Sequence, residues 1–140
     1  MNKVVKFGGS SLASAKQFKK VKDIIMADKS RRYVIPSAPG KRTTNDEKVT
    51  DLLYACYSAA SEGRSYKKIF DAITARYEQI ITGLDSNINL DFEFKTIEEN
   101  FLATKGRDYA ASRGEYLNGI IMAAYLGYEF IDAADVICFD

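Results

Sequence analysis

The chain has 140 residues, is 46% hydrophobic and 28% charged, and carries a formal net charge of +1. That length supports one domain with a real core, and the near-zero charge removes any bulk electrostatic case for nucleic acid or an acidic membrane surface. Histidine is absent, so triads and zinc sites built on imidazole are excluded and chemistry falls to Asp, Glu, Lys and Ser.

No apolar run approaches the length of a membrane span. Asn2 and Lys3 are followed by only two apolar residues before Lys6, which does not read as a secretory leader. Cys56 and Cys138 lie far apart in different kinds of element and read as free thiols of a cytoplasmic protein.

Residues 3–7 read as a strand, followed by Gly8-Gly9 and a helical pattern over 11–28. Leu12, Ala15, Phe18, Val21 and Ile25 recur at helical spacing, with Ser10 or Ser11 as the expected N-cap. Tyr33, Val34 and Ile35, stopped by Pro36, predict a second strand. Strand, helix and strand in this space make a βαβ unit, so the two strands are expected to be parallel. The segment 36–46 holds both prolines and reads as a loop on the same sheet edge as Gly8-Gly9, where parallel sheets bind ligands. A helix follows with Val49, Leu52, Leu53, Cys56 and Ala60 on one face, capped by Asn45 or Asp46 and closed by Gly63. Ile69 to Ile81 predicts another helix ending near Gly83, and Phe94 to Leu102 a weaker one. Gly106 breaks the pattern before a last helix over 112–126. Tyr128–Ile131 and Val136–Phe139 are strand-like. Consecutive helices without a strand between them predict a helical excursion beside the sheet.

Lys6-Phe7-Gly8-Gly9-Ser10-Ser11 is the most informative segment. Glycines between a strand and a helix let the backbone approach a ligand, and a helix N-terminus favours an anion. It is neither GxxxxGK[ST] nor GxGxxG. Lys6 alternates with Val5 and Phe7, which fits a plain solvent-facing residue or, at the ligand edge, a phosphate contact. Ser112-Arg113-Gly114-Glu115 has two readings. It fits a capping box, in which Glu115 only returns a hydrogen bond to Ser112, and it also fits a carboxylate turned into a cleft. Ser37, Thr44 and Asn45 suit turn chemistry or a small polar substrate, and Lys41 and Arg42 suit solvated loop charges.

Residues 6–13, the Ser37-Ala38-Pro39-Gly40 loop running to Asn45, and Ser112–Leu117 occur in the order and spacing of aspartokinases. The chain resembles the N-terminal part of that family over nearly its whole length, including Leu126-Gly127-Tyr128. The resemblance implies an α/β domain with a doubly wound, parallel-type sheet of the amino-acid kinase fold, incomplete in this chain. It implies MgATP-dependent phosphorylation of the side-chain carboxylate of L-aspartate, the first step toward lysine, threonine and methionine. Lys6, Phe7, Gly8, Gly9 and Ser10 would then hold ATP phosphates, with Lys6 on the transferring group. Ser37, Thr44 and Glu115 would hold aspartate, with Glu115 facing its ammonium group. No residue is assigned to a metal, and Mg2+ and ATP are the expected cofactors. The full-length protein is expected to be a cytoplasmic homo-oligomer without nucleic-acid or membrane partners.

The family loop usually reads Ser-Ala-Met-Gly; here Pro39 replaces Met and Lys41-Arg42 are inserted, so Thr43 and Thr44 both remain open as the substrate contact. The family's kinase domain is roughly twice this size. Its later Gly-Arg-Gly-Gly-Ser-Asp and Thr-Asp-Pro-Arg segments and its regulatory domains do not occur in these residues. The chain by itself is therefore expected to be inactive and to self-associate through an open sheet edge. The competing readings are another amino-acid kinase, acting on glutamate or a carbamoyl group, and a non-catalytic short form that binds a partner.

Overall fold

Two short strands and five helices organise residues 1–132, the part of the chain that the computed structural model describes. Strand β1 (Lys3–Phe7) pairs in parallel with β2 (Arg31–Pro36), Val5 opposite Val34 and Phe7 opposite Pro36. Helix α1 (Ala15–Met26) makes the crossover between them, as the βαβ pattern requires. Helices α2 (Val49–Ser61), α3 (Lys67–Gly83), α4 (Asp91–Leu102) and α5 (Arg107–Leu126) then follow without a strand between them. The expected excursion is thus four helices. Of the strand-like runs at the end, Tyr128–Ile131 is not a strand, and Val136–Phe139 lies outside the described residues, as does Cys138.

Each helix buries one stripe. Phe18, Val21 and Ile25 of α1, Leu53 and Cys56 of α2, Ile73, Tyr77 and Ile80 of α3, Phe94, Ile97 and Phe101 of α4, and Leu117 and Ile121 of α5 form one continuous core. Helix α2 packs on α3, α4 and α5, α1 packs on α3, and α5 reaches β2. The sheet contributes only its inner face, Val5, Phe7 and Val34. Its outer face shows Val4, Tyr33 and Ile35, about half exposed or more.

Three expected helix starts move, and each move matters for function. The chain after Gly8 makes a short 3-10 turn, Gly9–Leu12, and α1 begins only after Ser14. Ser14, not Ser10 or Ser11, is the N-cap, and its Oγ accepts from the Gln17 N–H. Helix α2 starts at Lys48–Val49 with no side-chain cap, because the Asp46 carboxylate is taken by Arg42. Helix α5 starts at Arg107, behind Gly106 at φ +113°. Ser112 therefore sits inside α5, where its hydroxyl donates to the Tyr109 carbonyl. The capping-box reading of Glu115 fails, because a capping residue belongs to the first turn.

Candidate functional site

A cleft of about 510 Å³ opens at the carboxyl ends of the two strands. Gly9 and Ser10 line it on one side, Ser37 to Lys41 form its floor, Lys48 and Thr50 come from the start of α2, and Glu115 comes from α5. Four segments far apart in sequence thus meet at the edge where parallel sheets bind ligands.

Backbone contacts fix the floor. Ser37 N–H donates to the Phe7 carbonyl at 3.1 Å, continuing the sheet by one bond. Gly40 N–H donates to the Gly9 carbonyl at 2.8 Å, so the loop and the Gly-Gly turn are tied directly together. The approach is so close that a Cβ on Gly40 would lie 2.6 Å from the Gly9 carbonyl carbon and 2.7 Å from Ser10 N. Glycine is required there by space.

Helix α5 supports the loop from below, which explains the sequence around Glu115. A Cβ on Gly114 would lie 2.6 Å from Ala38 Cβ, so only glycine lets the loop rest on the helix. Tyr77 from α3 donates its hydroxyl to the Gly114 carbonyl at 2.9 Å, and its full burial raises its pKa above the usual phenol value. One turn on, the buried Asn118 Nδ2 donates to the Ser37 carbonyl at 2.8 Å. Glu115, between these two supports, is exposed to the cleft.

A buried arginine holds the loop's outer arm. Arg76 of α3 is 4% exposed and donates to the carbonyls of Gly40 and Glu47, the latter at 2.8 Å. Asp46 accepts two bonds from the Arg42 guanidinium, 2.7 Å from Nε and 3.0 Å from Nη2. Those bonds hold its carboxyl well below the usual carboxylate range.

Of the residues singled out from sequence, Gly9, Ser10, Ser37 and Glu115 share the cleft. Lys6, Phe7, Gly8 and Thr44 do not line it. Lys6 lies on the exposed face of β1, paired with Ile35, while Phe7 faces the core. Gly8 precedes the turn with open space around it, and Thr43 and Thr44 are exposed in the loop. The cleft instead gathers Thr50 and Lys48, which no sequence motif singles out, and Lys41, which the loop pattern reads as a solvated charge. The available signal was the start of the apolar period at Val49, which places Thr50 in the first turn of a helix pointing at the ligand edge.

Residues 1–140 match the family model of the amino acid kinase family, and the chain belongs to that family. It is 37% identical over 142 residues to aspartokinase 3 of Bacillus subtilis (strain 168), covering 94% of this chain and 30% of the relative. It is 35% identical over 136 residues to the chloroplastic aspartokinase 1 of Arabidopsis thaliana, covering 88% and 23%. Among solved structures, the aspartate kinase of Clostridium acetobutylicum superposes with a TM-score of 0.94 at 51% identity, over 100% of this chain and 32% of that one. E. coli aspartokinase III in complex with aspartate and ADP superposes with a TM-score of 0.70 at 23% identity, over 91% and 29%, and shares the fold. The chain spans less than one third of each of these proteins. No helix among the described residues is long and apolar enough to cross a membrane.

Proposed function

We propose that the natural protein carrying this chain phosphorylates the side-chain carboxylate of L-aspartate with ATP, giving 4-phospho-L-aspartate and ADP. The observation that carries this reading is the single cleft in which the Gly9–Ser10 turn faces Glu115 across the Ser37–Lys41 loop. Support for the acceptor comes from the aspartokinase relatives and from the aspartate and ADP held by the E. coli enzyme.

The chemistry asks little of the protein beyond placement and charge. A carboxylate is ionised at neutral pH and needs no base to act as nucleophile. Its oxygen bonds to the γ-phosphorus while the bond to the β–γ bridging oxygen breaks, and ADP leaves with that electron pair. Catalysis is then positioning and neutralisation of phosphoryl charge. In this reading the Gly9–Ser10 turn serves the phosphates at the cleft, Phe7 and Gly8 set the course of the chain into that turn, and Lys6, on the outer face of β1 beyond the cleft lining, brings its charge to the transferring group through its long side chain. Glu115 takes the ammonium group of aspartate. Thr50 and Ser37 bond its polar atoms, Thr50 in place of Thr44. Lys41 and Lys48 add positive charge at the cleft, where ATP and aspartate together bring several negative ones.

Mg2+ is the usual companion of ATP. The described residues hold no group of three or more carboxylate, thiol or imidazole ligands that fits a metal, so no step is assigned to one here. The whole protein is read as a cytoplasmic homo-oligomer at the head of the lysine, threonine and methionine routes, with residues 1–140 as the N-terminal portion of its kinase domain.

The test is ADP release by the purified natural protein with L-aspartate, L-glutamate or carbamate as acceptor. Release with aspartate above the other two supports the reading. Release with glutamate or carbamate instead overturns the substrate. No acceptor-dependent release overturns the enzyme reading in favour of a partner-binding module.

A further inference from the structure

Asn118 is the one polar side chain of α5 that the core encloses fully. Its Nδ2 donates to the Ser37 carbonyl at 2.8 Å, while its Oδ1 is buried and meets no hydrogen-bond partner among the described residues. A buried acceptor left unmatched opposes folding. Asn118 therefore gives the fold little stability that an apolar side chain of the same shape would not. What it does give is a fixed position for one carbonyl, because a hydrogen bond admits a narrow range of distance and angle where an apolar contact slides.

That carbonyl belongs to the cleft floor. Ser37 hangs between two elements: its N–H donates to Phe7 of β1 at 3.1 Å, and its carbonyl accepts from Asn118 of α5. Glu115 lies three residues before Asn118, on the same face of the helix, and lines the cleft together with Ser37. One helix thus places both residues, Glu115 directly and Ser37 through Asn118. The close contact of Gly114 with Ala38 keeps that helix pressed against the loop. The gap between Ser37 and Glu115 is accordingly set by α5.

We propose that Asn118 is a positioning residue that sets the length of the acceptor. By holding Ser37 at a fixed distance from Glu115, it favours the four-carbon amino diacid over its five-carbon homologue. The inference rests on the proposed function, since it needs an acceptor whose ammonium group meets Glu115 and whose other polar atoms meet Ser37. The two acids differ by one methylene, a difference that a site of fixed span separates by about 10–200-fold. A floor free to slide accommodates both. Asn118 does not touch the acceptor itself, because it is enclosed beneath the loop and does not line the cleft.

The experiment is ADP release by the natural full-length protein with L-aspartate and with L-glutamate, comparing wild type with Asn118→Leu and Asn118→Ser. Each variant is also measured for its melting temperature and its KM for ATP. Leucine keeps the shape and removes the donor; serine keeps a shorter donor. Asn118→Leu should lower the ratio of kcat/KM for aspartate over glutamate about tenfold or more, with melting temperature and KM for ATP close to wild type. Asn118→Ser should fall between the two. In a Ser37→Ala background the leucine substitution should change the ratio less, because Asn118 acts through Ser37. A lower melting temperature, or equal losses with both acceptors, at an unchanged ratio marks a merely structural Asn118 and overturns this inference alone. Wild type without aspartate-dependent release overturns the proposed function, and this inference with it.

Discussion

The helical cluster and the two-stranded sheet are built to different ends. In the cluster, large side chains from different helices close on one another: Phe101 is fully buried, with its ring 5.6 Å from Tyr57 and 6.3 Å from Tyr109, both edge-on. In the sheet, one face rests on that core, and Val4, Tyr33 and Ile35 on the other are about half exposed or more. Yet the sheet edge carries the turn and loop that line the cleft. Packing energy is concentrated in the helices, and ligand geometry at the strand ends, where glycine contacts and backbone hydrogen bonds hold the loops. Glu115 and Asn118 bridge the two, since both belong to a core helix, Asn118 bonding the loop and Glu115 lining the cleft.

That division is open to attack from either side. The largest effect is expected in the cluster: Phe101→Ala empties a fully enclosed site, and should cost about 3–5 kcal/mol of unfolding free energy in a denaturant titration. Gly40→Ala strikes the edge instead. Its Cβ meets backbone rather than a flexible side chain, so the loop must shift, at a cost of about 1–3 kcal/mol. The two variants should diverge in function, with Gly40→Ala losing far more ligand affinity than its melting temperature implies, by calorimetry with ADP.

A smaller effect is expected from acid. The Asp46 carboxyl is held low chiefly by its hydrogen bonds to Arg42, so its contribution is complete above the ordinary carboxylate pKa of about 4 and fades as pH falls below it. Asp46→Asn should therefore lower stability at pH 7 and flatten the acid limb of the stability curve. Asp28, also depressed by its bonds to Lys3 and Ser30, and Glu98, where burial is outweighed by bonds from Tyr66 and Lys67, keep part of that limb. The smallest effect is a null one. Burial pushes the Cys56 thiol up to about 12, so at pH 8 it stays protonated inside the core. Iodoacetamide should leave the Cys56 peptide unmodified in native protein and label it fully in denaturant, read by mass spectrometry.

The same division decides what the sequence could reveal. The helices and both strands were legible within a few residues, because Phe18, Val21 and Ile25, or Ile73, Tyr77 and Ile80, declare a buried stripe by spacing alone. Helix starts were less legible. Arg107 to Ala111 carry no strong apolar period, so the pattern starts α5 only at 112 and leaves open a capping role for Ser112 that the residue does not have. The extent of the turn after Gly9 was hidden in the same way, and with it the true position of the α1 dipole. Thr50 leaves no mark in the sequence because the preceding loop already offers the hydroxyls of Ser37, Thr43 and Thr44, and only the fold shows that the first turn of α2 carries Thr50 to the cleft. Arg76 was invisible because its partners are backbone carbonyls at Gly40 and Glu47, which leave no mark in side-chain pattern.

In the proposed function Glu115 and Thr50, from two core helices, hold the acceptor at the sheet edge. The direct test is aspartate kinetics of the natural protein carrying Glu115→Ala, Thr50→Ala or Thr44→Ala, each with its melting temperature. Glu115→Ala should lower kcat/KM for aspartate on the order of 100-fold, Thr50→Ala should lower it by a smaller factor, and Thr44→Ala should leave it unchanged, with all three melting as wild type does. Full activity in Glu115→Ala, or a loss confined to Thr44→Ala, would contradict it.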